Sequence, residues 1–227
     1  MLIPIRDENP TRRFPIVTVA LIAINVAVFV YMLQLPSETA LNNFISKFAL
    51  FPGTITGLHM AGSPVQPVYL TVITSMFLHG GFLHIIFNML FLWIFGNNVE
   101  DVLGRSKFIA FYLLAGTAGA FAHIATDPSS AVPTLGASGA ISGVLGAYLV
   151  LFPNARVLTV IPIIFFPAII RIPAIILIGF WFILQLLPAL FQIGLGAGGI
   201  AYFAHIGGFI AGVILILILP KRRHYRR

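Results

Sequence analysis

Hydrophobic and polar positions segregate along this chain into long apolar blocks, separated by short stretches rich in charge, proline or glycine. An apolar block of about 20 residues is what an α-helix needs to cross a bilayer. Six spans are predicted, at residues 14–35, 80–97, 107–126, 135–152, 172–191 and 200–219. A long first loop, 36–79, carries Pro36, Lys47, Pro52, Gly53, Gly57, Pro64 and Pro67; it is moderately apolar and is expected to lie partly in the interface. Its stretch "VYLTVITSMFL" is placed before the second span because Gly80 and Gly81 break the pattern there. Pro153, Arg156, Pro162, Pro167 and Arg171 predict a loop after the fourth span. Gly194, Gly196, Gly198 and Gly199 predict a turn into the sixth. The expectation is an all-α membrane protein forming one domain over residues 1–227.

Composition agrees with the pattern. The 227 residues are 59% hydrophobic and 8% charged, against about 25% charged in soluble domains. Absence of cysteine excludes disulfides and thiolate ligands. The first span follows Arg12 and Arg13 without an A-x-A-like exit, so it is read as a retained helix, not a cleaved signal. The net charge of +7 is distributed unevenly. With six spans, Arg6, Arg12, Arg13, Arg105, Lys107, Arg156, Arg171, Lys221, Arg222, Arg223, Arg226 and Arg227 share one side, and Lys47 alone lies on the other. The positive-inside rule then makes both termini cytoplasmic. The basic tail is an anchor on anionic lipid, and no nucleic-acid partner is required. The six acidic residues all fall in loops or at span ends, which argues against an ion-coupled transporter.

Polar side chains within lipid are costly and therefore candidates for function. His84 and Asn88 lie in the second span, His123 in the third, Ser138 and Ser142 in the fourth, Gln185 in the fifth and His205 in the sixth. Spans 2, 4 and 6 run in one direction. At about 1.5 Å per residue, His84, Asn88, Ser138 and His205 fall in one layer, roughly 5–12 Å below the outer helix ends. Gly139, Gly143 and Ala147 form a small-residue stripe in span 4, and Ala204, Gly208 and Gly212 form another in span 6. Either stripe alone is read more readily as helix packing. Facing one another, the two bring Ser138 and His205 within reach. A serine hydroxyl needs an adjacent base, and an imidazole suits that role, so the pair reads as a Ser–His dyad with no carboxylate at its depth. Free N–H groups in the first turn after Gly136, with donors from His84 and Asn88, are candidates for an oxyanion hole. His123 and Gln185 are assigned to interhelical hydrogen bonds, and His79 to hydrogen-bonded support of the site. H-E-x-x-H is absent, the histidines form no clear ligand set, and neither a metal nor another cofactor is expected.

These motifs resemble those of the rhomboid family of intramembrane serine proteases. "GASG" resembles the family's G-x-S-G, with Ser138 as nucleophile. "AHIGGFIAG" resembles A-H-x-x-G-x-x-x-G, with His205, Gly208 and Gly212 in register. "HGGFLHIIFN" resembles H-x-x-x-N, with His84 and Asn88, preceded by His79. The resemblance implies a six-helix rhomboid-like bundle of the bacterial type, in a prokaryotic cell membrane, with its site open to the outer face. It also implies cleavage of peptide bonds in or near transmembrane segments of substrate proteins, with small residues favoured at the cut. Two departures stand out. The first loop lacks the family's common Trp-Arg pair, and Ser142 stands where some members place an aromatic on the catalytic histidine. Aromatic-rich span 5 (Phe180, Trp181, Phe182) is assigned as the lateral gate. The competing expectations are a catalytically inactive rhomboid-like protein that binds membrane clients, and a small transporter or channel. Oligomeric state is not legible.

Overall fold

A computed structural model describes residues 2–162, 167–195 and 201–222. Gly196, Gly198 and Gly199 of the glycine-rich turn, and Arg223, Arg226 and Arg227 of the tail, lie outside the described residues. The chain is mostly helical. Ile16–Leu33, Phe82–Leu103 and Arg105–Thr126 are long and apolar enough to cross a membrane, and Ser138–Leu151, Ala174–Leu190 and Tyr202–Ile218 are shorter apolar helices.

After strand β1 (Ile3–Asp7), helix α1 (Ile16–Leu33) begins behind Pro15, which provides no side-chain cap. The cap comes from a distant part of the chain. The Glu100 carboxylate accepts the N–H groups of Val17 (3.0 Å) and Thr18 (2.8 Å) and the Thr18 hydroxyl (2.8 Å). Negative charge at a helix N-terminus satisfies orphan donors and opposes the dipole. The first loop is largely helical: α2 (Glu38–Phe48), α3 (Pro52–Thr56) and the short α4 (Thr71–Thr74), which is flanked by 3-10 turns. Phe44, Ile45 and Phe48 of α2 pack against Met32 and Leu78, so the loop covers one end of the bundle.

Helices α5 (Phe82–Phe91) and α6 (Asn97–Leu103) join through a π-helical segment, Leu92–Gly96. After Gly104, whose φ of 84° the missing side chain permits, α7 (Arg105–Thr126) reverses direction. Helix α8 (Ser138–Leu151) is buried on every side from Gly139 to Tyr148, which its uniformly apolar sequence allows. Helices α9 (Ala174–Leu195, with Pro188 inside it) and α10 (Tyr202–Ile218) complete the bundle. The small residues set how closely α8 and α10 approach. A Cβ on Gly208 would collide with the Gly139 carbonyl, and one on Gly212 with the Gly143 carbonyl.

The fold is not all-α. Residues predicted as a loop form β2 (Arg156–Pro162) and β3 (Pro167–Pro173), an antiparallel pair in a three-stranded sheet of order β1-β2-β3. The prolines that mark a loop in sequence sit at the ends of the ladder, where Pro162 pairs with Pro167 and Pro173 with Arg156. Proline is tolerated there because few ladder N–H groups are needed. Val157 and Thr159, two apart in β2, are fully buried against the bundle. Asp7 pins β1: its Oδ2 accepts from Tyr148 of α8 (2.7 Å) and from Asn98 of α6 (2.8 Å).

Candidate active site

Helix α8 starts at Ser138, behind Gly136 and Ala137. Its first intrahelical bond is donated by Ile141 to the Ala137 carbonyl, so the N–H groups of residues 138–140 point out of the helix end without intrahelical partners. With 14 residues the helix is roughly 21 Å long, shorter than the hydrocarbon core of about 30 Å. A cavity of about 1180 Å³ lies over its N-terminal end, lined by Ser138, His205, His84, Asn88, Trp181 and Gln185 among others.

The glycine contact between α8 and α10 brings the two candidate reacting groups together. His205 Nε2 lies 2.8 Å from Ser138 Oγ. The other ring nitrogen, Nδ1, lies 2.8 Å from Gln185 Oε1 of α9. The Trp181 ring centroid is 6.2 Å from that of His205, and Tyr202 meets it edge-on at 6.5 Å. The aromatic contact to the imidazole thus comes from α9 and α10. Position 142 serves differently: its hydroxyl donates to the Ser138 carbonyl at 2.6 Å, satisfying a fully buried side chain.

His84 and Asn88 project from α5 one turn apart. The His84 ring lies over Gly136: a Cβ there would meet His84 Nε2 at 2.7 Å and Ser138 Oγ at 3.7 Å. Gly136 has φ 125°, a conformation suited to glycine, and its bare Cα leaves room for the imidazole. Its own N–H is not free, since it donates to the Ser75 carbonyl at 2.9 Å. The backbone donors without a partner among the described residues at this point are therefore those of residues 138–140, and Gly136 contributes shape. Asn88 is 7% exposed, and its Nδ2 has no hydrogen-bond partner among the described residues.

Two histidines differ from expectation. His79 is 1% exposed and neither ring nitrogen makes a well-formed hydrogen bond among the described residues. Its contact with the site is ring against ring, 5.0 Å from His84. The Nδ1 of His123 is buried without a partner among the described residues, so the interhelical bond assigned to it does not form at that atom. Gln185 does bond between helices, but to the imidazole beside Ser138 rather than to a structural partner. The signal for it was present: Gln185 is the single strongly polar residue between 172 and 191, and it follows Trp181 by four positions on the same helical face. Phe182 stacks on Phe209 of α10 at 4.4 Å, while Phe180 is exposed.

Residues 66–222 match the family model of the Rhomboid domain. The chain is 33% identical over 205 residues to Rhomboid protein 1, mitochondrial, of Saccharomyces cerevisiae, covering 86% of this chain and 51% of that protein. It is 28% identical over 239 residues to RHOMBOID-like protein 4 of Arabidopsis thaliana, covering 93% of this chain and 54% of that one. This chain therefore spans about half the length of both. A shorter stretch of 78 residues, 34% of this chain and 15% of its relative, is 44% identical to Rhomboid protease GluP of Bacillus subtilis. With the family's domain matched over most of its length, this integral membrane protein belongs to the rhomboid family.

Proposed function

We propose that the protein is an intramembrane serine endopeptidase that cleaves peptide bonds in or near transmembrane segments of other membrane proteins. The observation that carries this reading is the 2.8 Å approach of His205 Nε2 to Ser138 Oγ beneath a cavity lined by hydrogen-bond donors that have no partner among the described residues. In the first step Ser138 Oγ attacks the substrate carbonyl while His205 Nε2 takes the hydroxyl proton. The developing oxyanion is met by Asn88 Nδ2, by the first-turn N–H groups of α8 and by the His84 ring. The imidazolium returns its proton to the leaving amine, and a water from the cavity then hydrolyses the acyl-enzyme. A helical substrate shields its carbonyls in hydrogen bonds, so the segment must unwind locally before attack; helix-destabilising residues beyond the cut ease that step.

The proposed arrangement in the membrane has six spans: α1, α5 with α6, α7, α8, α9 and α10. Both termini are cytoplasmic and the cavity opens to the outer face. Substrate approaches laterally between α5 and α9, where Leu83 and Leu184 line the cavity and are also exposed on the bundle surface. A prokaryotic cell membrane is the proposed setting.

The test is direct. The purified protein is incubated in liposomes with a protein bearing one transmembrane helix, beside Ser138→Ala and His205→Ala. Cleavage by the wild type and by neither variant is expected. A panel of substrates left uncut by the wild type would replace this reading with that of a client-binding protein without catalysis.

A further inference from the structure

The Ser138–His205 pair is two-thirds of an arrangement that needs its base held in one tautomer and one orientation. A neutral imidazole carries a single proton, on either ring nitrogen. If that proton sits on Nε2, the nitrogen facing Ser138 is a donor and cannot act as the base. Something must therefore select the Nδ1–H form, and among the described residues no carboxylate bonds to the ring.

We propose that Gln185 is the positioning residue of this site. Its Oε1 accepts the Nδ1–H of His205 and so keeps the Nε2 lone pair directed at the Ser138 hydroxyl. The proposal rests on the proteolytic reading above and deepens it. Three observations support it. First, the distances from Ser138 Oγ to His205 Nε2 and from His205 Nδ1 to Gln185 Oε1 are both 2.8 Å, a continuous hydrogen-bonded chain through the ring. An amide oxygen only accepts, so this chain has one polarity: Ser138 O–H to Nε2, then Nδ1–H to Oε1. Second, Trp181 stands one turn before Gln185 and lies beside the same imidazole. One face of α9 thus fixes the ring by a hydrogen bond and by an aromatic contact together. Third, the choice of an amide suits the medium. In the resting state the imidazole is neutral, and a carboxylate at position 185 would be an uncompensated charge within the bilayer. The amide oxygen provides an oriented partial negative charge without a net one. When Ser138 attacks and His205 gains a second proton on Nε2, the same oxygen stabilises the imidazolium through its existing Nδ1–H bond, now charge-assisted and stronger. The amide itself takes no proton. The proton moves only from Ser138 Oγ to His205 Nε2 and onward to the leaving amine.

Two substitutions separate positioning from packing. Gln185→Met keeps the length and removes the acceptor; Gln185→Glu keeps the acceptor and adds a charge. Initial rates in liposomes, with Ser138→Ala as blank, are expected to show kcat down roughly 10- to 100-fold in Gln185→Met at little-changed KM, part of the about 10²–10⁴-fold that a positioned base supplies. Gln185→Glu is expected to retain more kcat than Gln185→Met. A side chain that merely fills space between helices predicts the reverse order, because methionine suits an apolar interface and a buried carboxylate does not; that order overturns the proposal. A second readout does not depend on cleavage. In protein labelled with ¹⁵N-histidine, with the His205 signals assigned by their loss in His205→Asn, the resting wild type is expected to show Nδ1 protonated and Nε2 bare. Gln185→Met is expected to shift population toward the other tautomer. An unchanged tautomer in Gln185→Met overturns the role of Gln185 even where cleavage is intact. Wild-type cleavage no greater than that of Ser138→Ala overturns the proteolytic reading instead, and the tautomer measurement still decides Gln185.

Discussion

Asn88 holds a buried donor with no partner among the described residues, and that is unusual at the scale of single residues. Leaving an amide N–H unsatisfied costs about 1–3 kcal/mol, and Asn88 Nδ2 is in that state beside the cavity that holds Ser138. A donor left for a charge that forms only during reaction is what the proposed role of Asn88 requires. Asn88→Ala is therefore expected to lower kcat by at most about 10²–10³-fold, or 2.7–4 kcal/mol, and by less where backbone donors of α8 compensate, with KM little changed. Steady-state kinetics check this; a raised KM at constant kcat would assign Asn88 to binding. Because Nδ2 has no bond to lose, the near-isosteric Asn88→Leu is expected to unfold thermally at or above the wild-type temperature. Residues of this kind are legible in sequence because chemistry demands particular side chains at fixed spacing. Ser138, His205, His84 and Asn88 could be named that way. Gln185 could be noticed as polar, but its partner depends on how α9 is rotated about its axis, which spacing along one helix does not specify. The bond that occupies the Gly136 N–H was hidden for a related reason: its acceptor, the Ser75 carbonyl, belongs to a loop remote in sequence.

Elements show the same division. The paired small-residue stripes are visible as i, i+4, i+8 patterns, and which glycines are indispensable emerges only from their contacts. An added Cβ at Gly208 collides with a backbone carbonyl that cannot move without parting α8 from α10. At Gly139 the nearest atom to such a Cβ is the Ala204 carbonyl oxygen at 3.5 Å, an ordinary contact. Gly208→Ala is expected to destabilise the protein by about 1–3 kcal/mol and to reduce cleavage, whereas Gly139→Ala is expected to leave stability unchanged or raised by up to about 1 kcal/mol through helix propensity. Denaturation in detergent of the two variants side by side tests the asymmetry; equal loss in both contradicts it. The sheet was illegible because prolines at its ladder ends resemble loop punctuation and because β1 lies some 150 residues from its partner strand. Its anchor has a pH signature. Burial raises the Asp7 carboxyl above its usual range, and the hydrogen bonds from Tyr148 and Asn98 only partly offset this. A carboxyl raised in the folded state contributes its stability fully below the unfolded value near 4, and loses it as pH rises through the folded value. Stability is thus expected to decline over that window, and Asp7→Asn, which retains an oxygen to accept from both donors, is expected to flatten the decline. Thermal unfolding at several pH values provides the measurement.

Across the whole molecule, tertiary bonds sort the loops into two ends without reference to any membrane. At one end the Asp101 carboxylate accepts the Arg12 N–H at 2.7 Å and faces Arg222 at 3.5 Å; Lys107 donates to the Pro220 carbonyl at 2.7 Å, and Arg171 pairs with Glu8 at 2.6 Å. That end gathers the N-terminus, the α6–α7 junction, the sheet and the residues after α10. At the other end Leu50 bridges Thr134, the Gly53 N–H reaches the Ser130 carbonyl and the Thr56 hydroxyl reaches the Pro128 carbonyl. That end joins the first loop to the segment leading into Ser138, and Lys47 is the one basic residue it carries. In the proposed orientation, which follows the positive-inside rule, the basic end is cytoplasmic and Ser138 lies near the outer face. The absence of cysteine makes the orientation measurable with single introduced thiols. Ser63 and Asn154 are exposed, uncharged and at opposite ends, so replacing either leaves the charge bias intact. In intact cells a membrane-impermeant maleimide is expected to label Ser63→Cys at once and Asn154→Cys only after permeabilisation. The opposite pattern would place the cavity on the cytoplasmic side and require the hydrolytic water, and the substrate segments that reach Ser138, to come from there.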